Sequence, residues 1–165
     1  MTKRTARFTL AALAALAAAP LGAQQPLDIR YRFVAADPAT HLADVTLTVA
    51  GPLADSTLVQ LPAWYPGRYA IYNFAANVQE VHATCAGAPV AAPKSDKQTW
   101  LVRCPEGRGP LEFAFRVWWN DLSGSHSQID SLHACINPGN VFPYVVGHKQ
   151  DSVRVTYAGP PEWTQ

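Results

Sequence analysis

Leu111-Glu112-Phe113-Ala114-Phe115-Arg116-Val117-Trp118-Trp119 sets large apolar side chains at positions 111, 113, 115, 117 and 119, with Glu112 and Arg116 between them. Successive strand side chains point to opposite faces of a sheet, so this period of two predicts a strand with one buried face. Of the adjacent pair Trp118 and Trp119, one therefore belongs to the core and the other to the sheet surface. The same period recurs at Leu27, Ile29, Tyr31, Phe33 and Ala35, then at Val45, Leu47 and Val49, and at Val153, Val155 and Tyr157. Residues 78–85 and 98–104 read as strands with looser patterns. Turn formers separate these runs: Asp37-Pro38, Gly51-Pro52, Gly87, residues 93–96, residues 105–110 and Pro138-Gly139. No apolar helical period follows Ala23, and residues 75–81 have room for one helical turn. Many short strands with frequent turns predict an all-β fold, an antiparallel β-sandwich or a strongly curved sheet.

Composition agrees with a globular β domain. The 165 residues are 48% hydrophobic and 15% charged, too few charges for a coiled coil or a charge-laced bundle. Thirteen Lys and Arg against twelve Asp and Glu give a formal charge of +1, which excludes a nucleic-acid binder. Fourteen prolines against ten glycines require many turns.

The first residues follow a different rule. Lys3, Arg4 and Arg7 precede an uncharged apolar run at residues 8–19, and Pro20-Leu21-Gly22-Ala23 follows. That order is the one of a secretory signal peptide, cleaved after Ala23. The run is shorter than the ~20 residues that span a bilayer, so stable membrane insertion is not expected after cleavage. Residues 24–165 then form one domain in a periplasmic or secreted setting. Cleavage removes three of the thirteen basic residues and none of the twelve acidic ones, so the charge becomes −2. Outside the cytosol, Cys85, Cys104 and Cys135 can supply one disulfide and one spare thiol. If residues 98–104 pair antiparallel with residues 85–91 across a loop at 92–97, Cys85 lies opposite Cys104, and these two are the expected disulfide. Either could instead pair with Cys135.

Two stretches break the alternation. Leu61-Pro62-Ala63-Trp64-Tyr65-Pro66-Gly67-Arg68-Tyr69 flanks an aromatic pair with prolines, which predicts a rigid extended segment and a tight turn. Residues 121–148 hold three of the five histidines and Cys135, and are long for a plain loop. Histidines stand at 41, 82, 126, 133 and 148. None is followed by Glu and no two are four apart, so the zincin helix H-E-x-x-H is absent. His126, His133 and Cys135 are metal-ligand types, but a lone His-x-Cys has nothing to preorganise it. Ser123-Gly124-Ser125 lacks the flanking glycines of a nucleophile elbow. Asp121 and Asp130 are the nearest approach to a carboxylate pair.

The stretch from Leu61 to Tyr69, continued by Ile71-Tyr72-Asn73-Phe74 and Ala76-Asn77-Val78, resembles the LPxWxPGxY stretch and following Asn-Phe of the glycyl aminopeptidase family. These are secreted zinc metallopeptidases with a PDZ domain near the C-terminus. Gly87, Lys94, Asp96, Trp100 and Val102 resemble a hairpin of that family. Leu111 to Asp121 resembles one of its strands, and Pro160-Pro161-Glu162-Trp163 a terminal motif. The resemblance covers residues 27–165 and implies the family's N-terminal β-domain. The catalytic domain with H-E-x-x-H and a distal Glu ligand would follow it, and so would the PDZ domain. Neither is in this sequence, so the resemblance carries over no catalytic or metal residue, and zinc is expected only in the catalytic domain. A fragment or truncated product is the implied status of the chain.

Its implied function is that of a non-catalytic accessory domain, with a catalytic metallopeptidase domain as partner, in cis or as a separate chain. Trp64, Tyr65, Arg68, Tyr69, His126 and His133 are the expected interface, since aromatics beside a rigid proline turn bury large area at low entropic cost. The alternatives are a stand-alone exported β-sandwich that binds protein or glycan through Trp64 and Tyr65, and a small hydrolase using His126, His133 and an Asp.

Overall fold

The alternating run at residues 111–119 becomes a central strand of the larger of two sheets. A computed structural model describes residues 25–64, 66–107 and 109–163. The signal-peptide expectation at residues 1–23 and the side chain of Tyr65 lie outside these described residues. The strands are β1 (Asp28–Val34), β2 (Leu42–Ala50), β3 (Ser56–Gln60), β4 (Val78–Cys85), β5 (Ala88–Val90), β6 (Thr99–Arg103), β7 (Leu111–Trp118), β8 (Gln128–Ile129), β9 (Ala134–Cys135), β10 (Tyr144–Val145) and β11 (Val153–Ala158). One helical turn, α1 (Pro138–Val141), precedes β10, and a 3-10 turn at Phe74–Asn77 leads into β4.

The larger sheet has the order β11-β1-β2-β7-β4-β5, and a smaller one has β10-β3-β6. β8 and β9 form a separate short hairpin. The fold is all-β, with one departure from antiparallel pairing: β1 runs parallel to β11, so the larger sheet is mixed. Alternation works as expected. Ile29, Tyr31 and Phe33 of β1, Val45, Leu47 and Val49 of β2, and Leu111, Phe113, Phe115 and Val117 of β7 are all buried. In register they form rows across the sheet, Phe33 beside Val45 and Val45 beside Phe115. The smaller sheet covers that face. Trp100 of β6 meets Phe113 of β7 at 5.5 Å between ring centroids. Phe142 packs on Tyr31 and Phe33, and the Tyr31 hydroxyl donates to Pro143 O at 2.6 Å. Burial raises the Tyr31 phenol to about 12. Trp119 is buried and Trp118 is exposed on the opposite face, edge-on to His41.

One expected pairing is overturned. Residues 98–104 do not pair with 85–91. The chain turns at Ala86-Gly87, both with positive φ, and β5 folds straight back on β4. β6 instead pairs with β3 in the other sheet. Cys85 and Cys104 are joined by a disulfide, with Cα atoms 5.6 Å apart, but the bridge ties the end of β4 to the end of β6 across two sheets rather than across one hairpin. Cys135 is a free, exposed thiol. Residues 121–148 are partly strand: they hold β8, β9, α1 and β10.

Candidate functional site

Among the described residues, 61–64 and 66–73 lie outside every strand. Pro62 and Pro66 restrict the backbone, and Gly67 takes φ +97°, a conformation that L side chains rarely adopt. The loop is closed at its base, where Tyr72 N–H donates to Ala63 O at 2.8 Å. Tyr72 stacks on Phe74 at 4.9 Å, and Phe74 reaches the core at Trp119. The loop is therefore stiff at its root.

A second loop, between β7 and β8, lies against it. Arg68 Nε donates to Ser125 Oγ at 2.7 Å, and the Tyr72 hydroxyl lies 3.4 Å from the same oxygen. His126 stacks on Trp119 at 5.5 Å and receives Tyr72 and Phe74 edge-on. Its Nδ1 lies 2.8 Å from Asp121 Oδ2 and 3.2 Å from Ser123 Oγ. Both oxygens address the same ring nitrogen, so Ser123, His126 and Asp121 do not form a nucleophile–base–carboxylate relay, which needs both nitrogens.

Beneath the second loop lies a buried polar knot. Ser125, Ser127 and Asn140 are at most 1% exposed. Asn140 Nδ2 donates to Ser125 O at 3.1 Å, and Ser127 Oγ donates to Asn140 Oδ1 at 2.6 Å. Asn137 N–H donates to Ser127 Oγ at 2.9 Å, and Gly139 N–H to Asn137 Oδ1 at 3.1 Å. Buried polar groups with complete partners fix one geometry, because any alternative leaves them unpaired. The knot thus positions Ser125, and Ser125 positions Arg68.

Above this base the side chains stand open. Tyr69 is fully exposed, Ile71 is 80%, Leu122 66% and Trp64 47% exposed. The structure brings Arg68 and His126 onto one pair of interlocked loops, together with the neighbours Trp64 and Tyr69. It places His133 elsewhere, at the turn between β8 and β9, with Nδ1 3.2 Å from Asp130. There His133 lines a cavity of about 810 Å³ with Leu132, Ile136, Tyr157 and Trp163. Asp121 and Asp130 are not a pair: the first binds His126, and the second accepts the Leu132 and His133 N–H groups, which lower its pKa, Leu132 foremost. Among the described residues no three His, Cys, Asp or Glu side chains converge as a metal site would require. Ser125, Ser127 and Asn140 were not legible as site residues, since in sequence they are ordinary loop formers.

The family model described as the Peptidase M61 N-terminal domain matches residues 30–165. The chain belongs to that family. A search of curated proteins gave no match. Among solved structures, this M61 N-terminal domain is similar to a crystal structure of an aminopeptidase N family protein from Idiomarina loihiensis. The TM-score is 0.73 at 24% identity, a likeness of fold. The match covers 81% of this chain and 22% of that one, so this chain spans about a fifth of that protein's length.

Proposed function

We propose that this chain is the non-catalytic accessory domain of an exported zinc aminopeptidase-like protein. It packs on the catalytic domain through residues 61–73 and the 121–127 loop, and it shapes the cleft of that domain. The observation that carries the reading is the pairing of a rigid base with an open apolar tip. Tyr69, Ile71, Trp64 and Leu122 are exposed on loops whose roots are fixed by Arg68–Ser125 and Tyr72–Phe74 contacts. Preorganised aromatic and arginine side chains are the composition of interface hot spots. Family membership supplies the kind of partner. Export is supported by the charged-then-apolar N-terminal sequence and by the Cys85–Cys104 bridge, which suits an oxidising compartment. Zinc belongs to the catalytic partner in this reading.

The test is association. The gene is read past codon 165, and the catalytic domain it encodes, or one encoded beside it, is produced separately and mixed with this chain. A stable complex is expected, weakened about tenfold or more by Tyr69→Ala, a loss of roughly 1.4 kcal/mol or more. Zinc-dependent peptide turnover by this chain alone would overturn the reading, as would a complex indifferent to Tyr69→Ala and Ile71→Ala together.

A further inference from the structure

A sheet edge offers unpaired backbone groups to any extended chain, and proteins normally blunt such edges. The described sheets do so in three places. β5 closes one side of the larger sheet with three residues, and its middle residue Pro89 has no N–H. β6 is covered by residues 93–95: Leu101 N–H donates to Pro93 O and Ser95 N–H to Thr99 O, both at 2.9 Å. β10 is two residues long. β11 has none of these devices. It is six residues long, without proline, and in unbroken register with β1.

The register decides which groups face outward. Ala35 N–H donates to Ala158 O at 2.9 Å. In a parallel pair alternate residues direct both backbone groups to the neighbour. Arg154, Thr156 and Ala158 therefore serve β1, and Val153 and Val155 present theirs away from it. Among the described residues no strand lies beyond β11.

The two faces of this edge differ in charge. On the outer face Arg154 stands beside Arg30 and Thr156 beside Arg32. Asp28 is committed to Arg30 at 2.5 Å. On the inner face Val153, 55% exposed, and Val155 lead toward Tyr157 and the cavity it shares with Leu132 and Trp163.

We propose that β11 binds an extended peptide, adding it to the larger sheet as a seventh strand. Its alternate side chains are acidic where they meet Arg154 and apolar where they meet Val155, with a terminal apolar side chain entering the cavity. The complement of a strand edge is another backbone, with pockets for alternate side chains supplying specificity. The arginine row favours the acidic face. The choice of a peptide as occupant rests on the peptidase-domain reading above.

The test uses the isotope-labelled chain and acetyl-Val-Glu-Val-Glu-Val-amide, followed by NMR at the Val153 and Val155 amides. Saturable shifts at both are expected. N-methylation of one alternate set of peptide amides should weaken binding about tenfold, the loss of one to two hydrogen bonds, and methylation of the other set should not. Val155→Pro removes an outward N–H and spares the bonds to β1, so the saturable shift at the remaining Val153 amide should be lost. Arg154→Glu should transfer preference to the Val-Lys-Val-Lys-Val analogue. Absence of saturable shifts, equal binding by both methylated copies, or a dimer of this chain broken by Val155→Pro would each overturn the inference. If Val155→Pro fails to fold, the methylated peptides on the unaltered chain decide. A chain that binds its catalytic domain but not the peptide sinks this inference alone.

Discussion

The face shared by β1, β2 and β7 and the base beneath the 61–73 loop are both buried, yet different forces hold them. The sheet face is a continuous apolar layer, from Ile29, Tyr31 and Phe33 through Val45 and Leu47 to Phe113 and Phe115. Burial there is non-directional and scales with area. The loop base depends on the side chains of Ser127, Asn137 and Asn140 and on the backbone carbonyl of Ser125, whose hydrogen bonds hold one geometry. An apolar layer tolerates small shifts. A polar knot has one solution, which is what a loop needs if it must hold Arg68 and Tyr69 in place for a partner.

Truncating each region should separate the two. Phe113→Ala removes a fully buried ring at the contact between the sheets, so a loss of roughly 3–5 kcal/mol is expected in chemical denaturation. A loss under ~1 kcal/mol would mean the sheets are not packed as described. Asn140→Ala removes the amide donor to Ser125 O and the acceptor of the Ser127 hydroxyl proton, a cost of about 1–3 kcal/mol. Its sharper signature is local. Amide exchange should rise at residues 63–72 and 121–127 while β2 and β7 stay protected. Uniform acceleration across the sheet would mean that the loop base and the apolar layer unfold as one unit.

The smallest effect concerns acid. Asp151 accepts the Leu27 N–H at 2.7 Å and bonds His148 Nδ1 at the same distance, tying down the approach to β1. These contacts lower its pKa, the Leu27 N–H most of all. The folded state therefore favours the carboxylate. Its contribution is complete above the ordinary carboxylate pKa and is lost as pH falls through the lower folded value. Asp151→Asn should cost stability at neutral pH, and the gap from the native chain should close in acid. A gap that persists at the lowest pH would assign the effect to packing instead.

What the sequence made legible follows the same division. β1, β2, β7 and β11 could be read because a half-buried strand writes its two faces into alternate residues. β3 is not legible in the sequence: it buries Thr57 and half-exposes Leu58, so the apolar code fails at two of its five residues and only Val59 marks the buried face. The cysteine partners were readable, but their place was not. Nothing in residues 86–98 announces that the chain leaves one sheet for the other after a three-residue strand. The sequence marks Arg68 by the proline-turn motif and His126 by its chemistry, and both belong to the expected interface. Their meeting on Ser125 depends on a contact between residues 57 positions apart, which no local pattern encodes.

The parallel pairing of β1 with β11 sets these two strands in shear geometry. The chain enters β1 at one end of the pair and leaves β11 at the other, so a pull on the two ends runs along the strands. Every hydrogen bond between them is then loaded at once, in shear, instead of being opened one at a time as in a hairpin. Forced unfolding is governed by the height of the unfolding barrier. Loaded in this way, the domain is expected to resist extension at the β1–β11 pair, whatever the equilibrium stability of the rest.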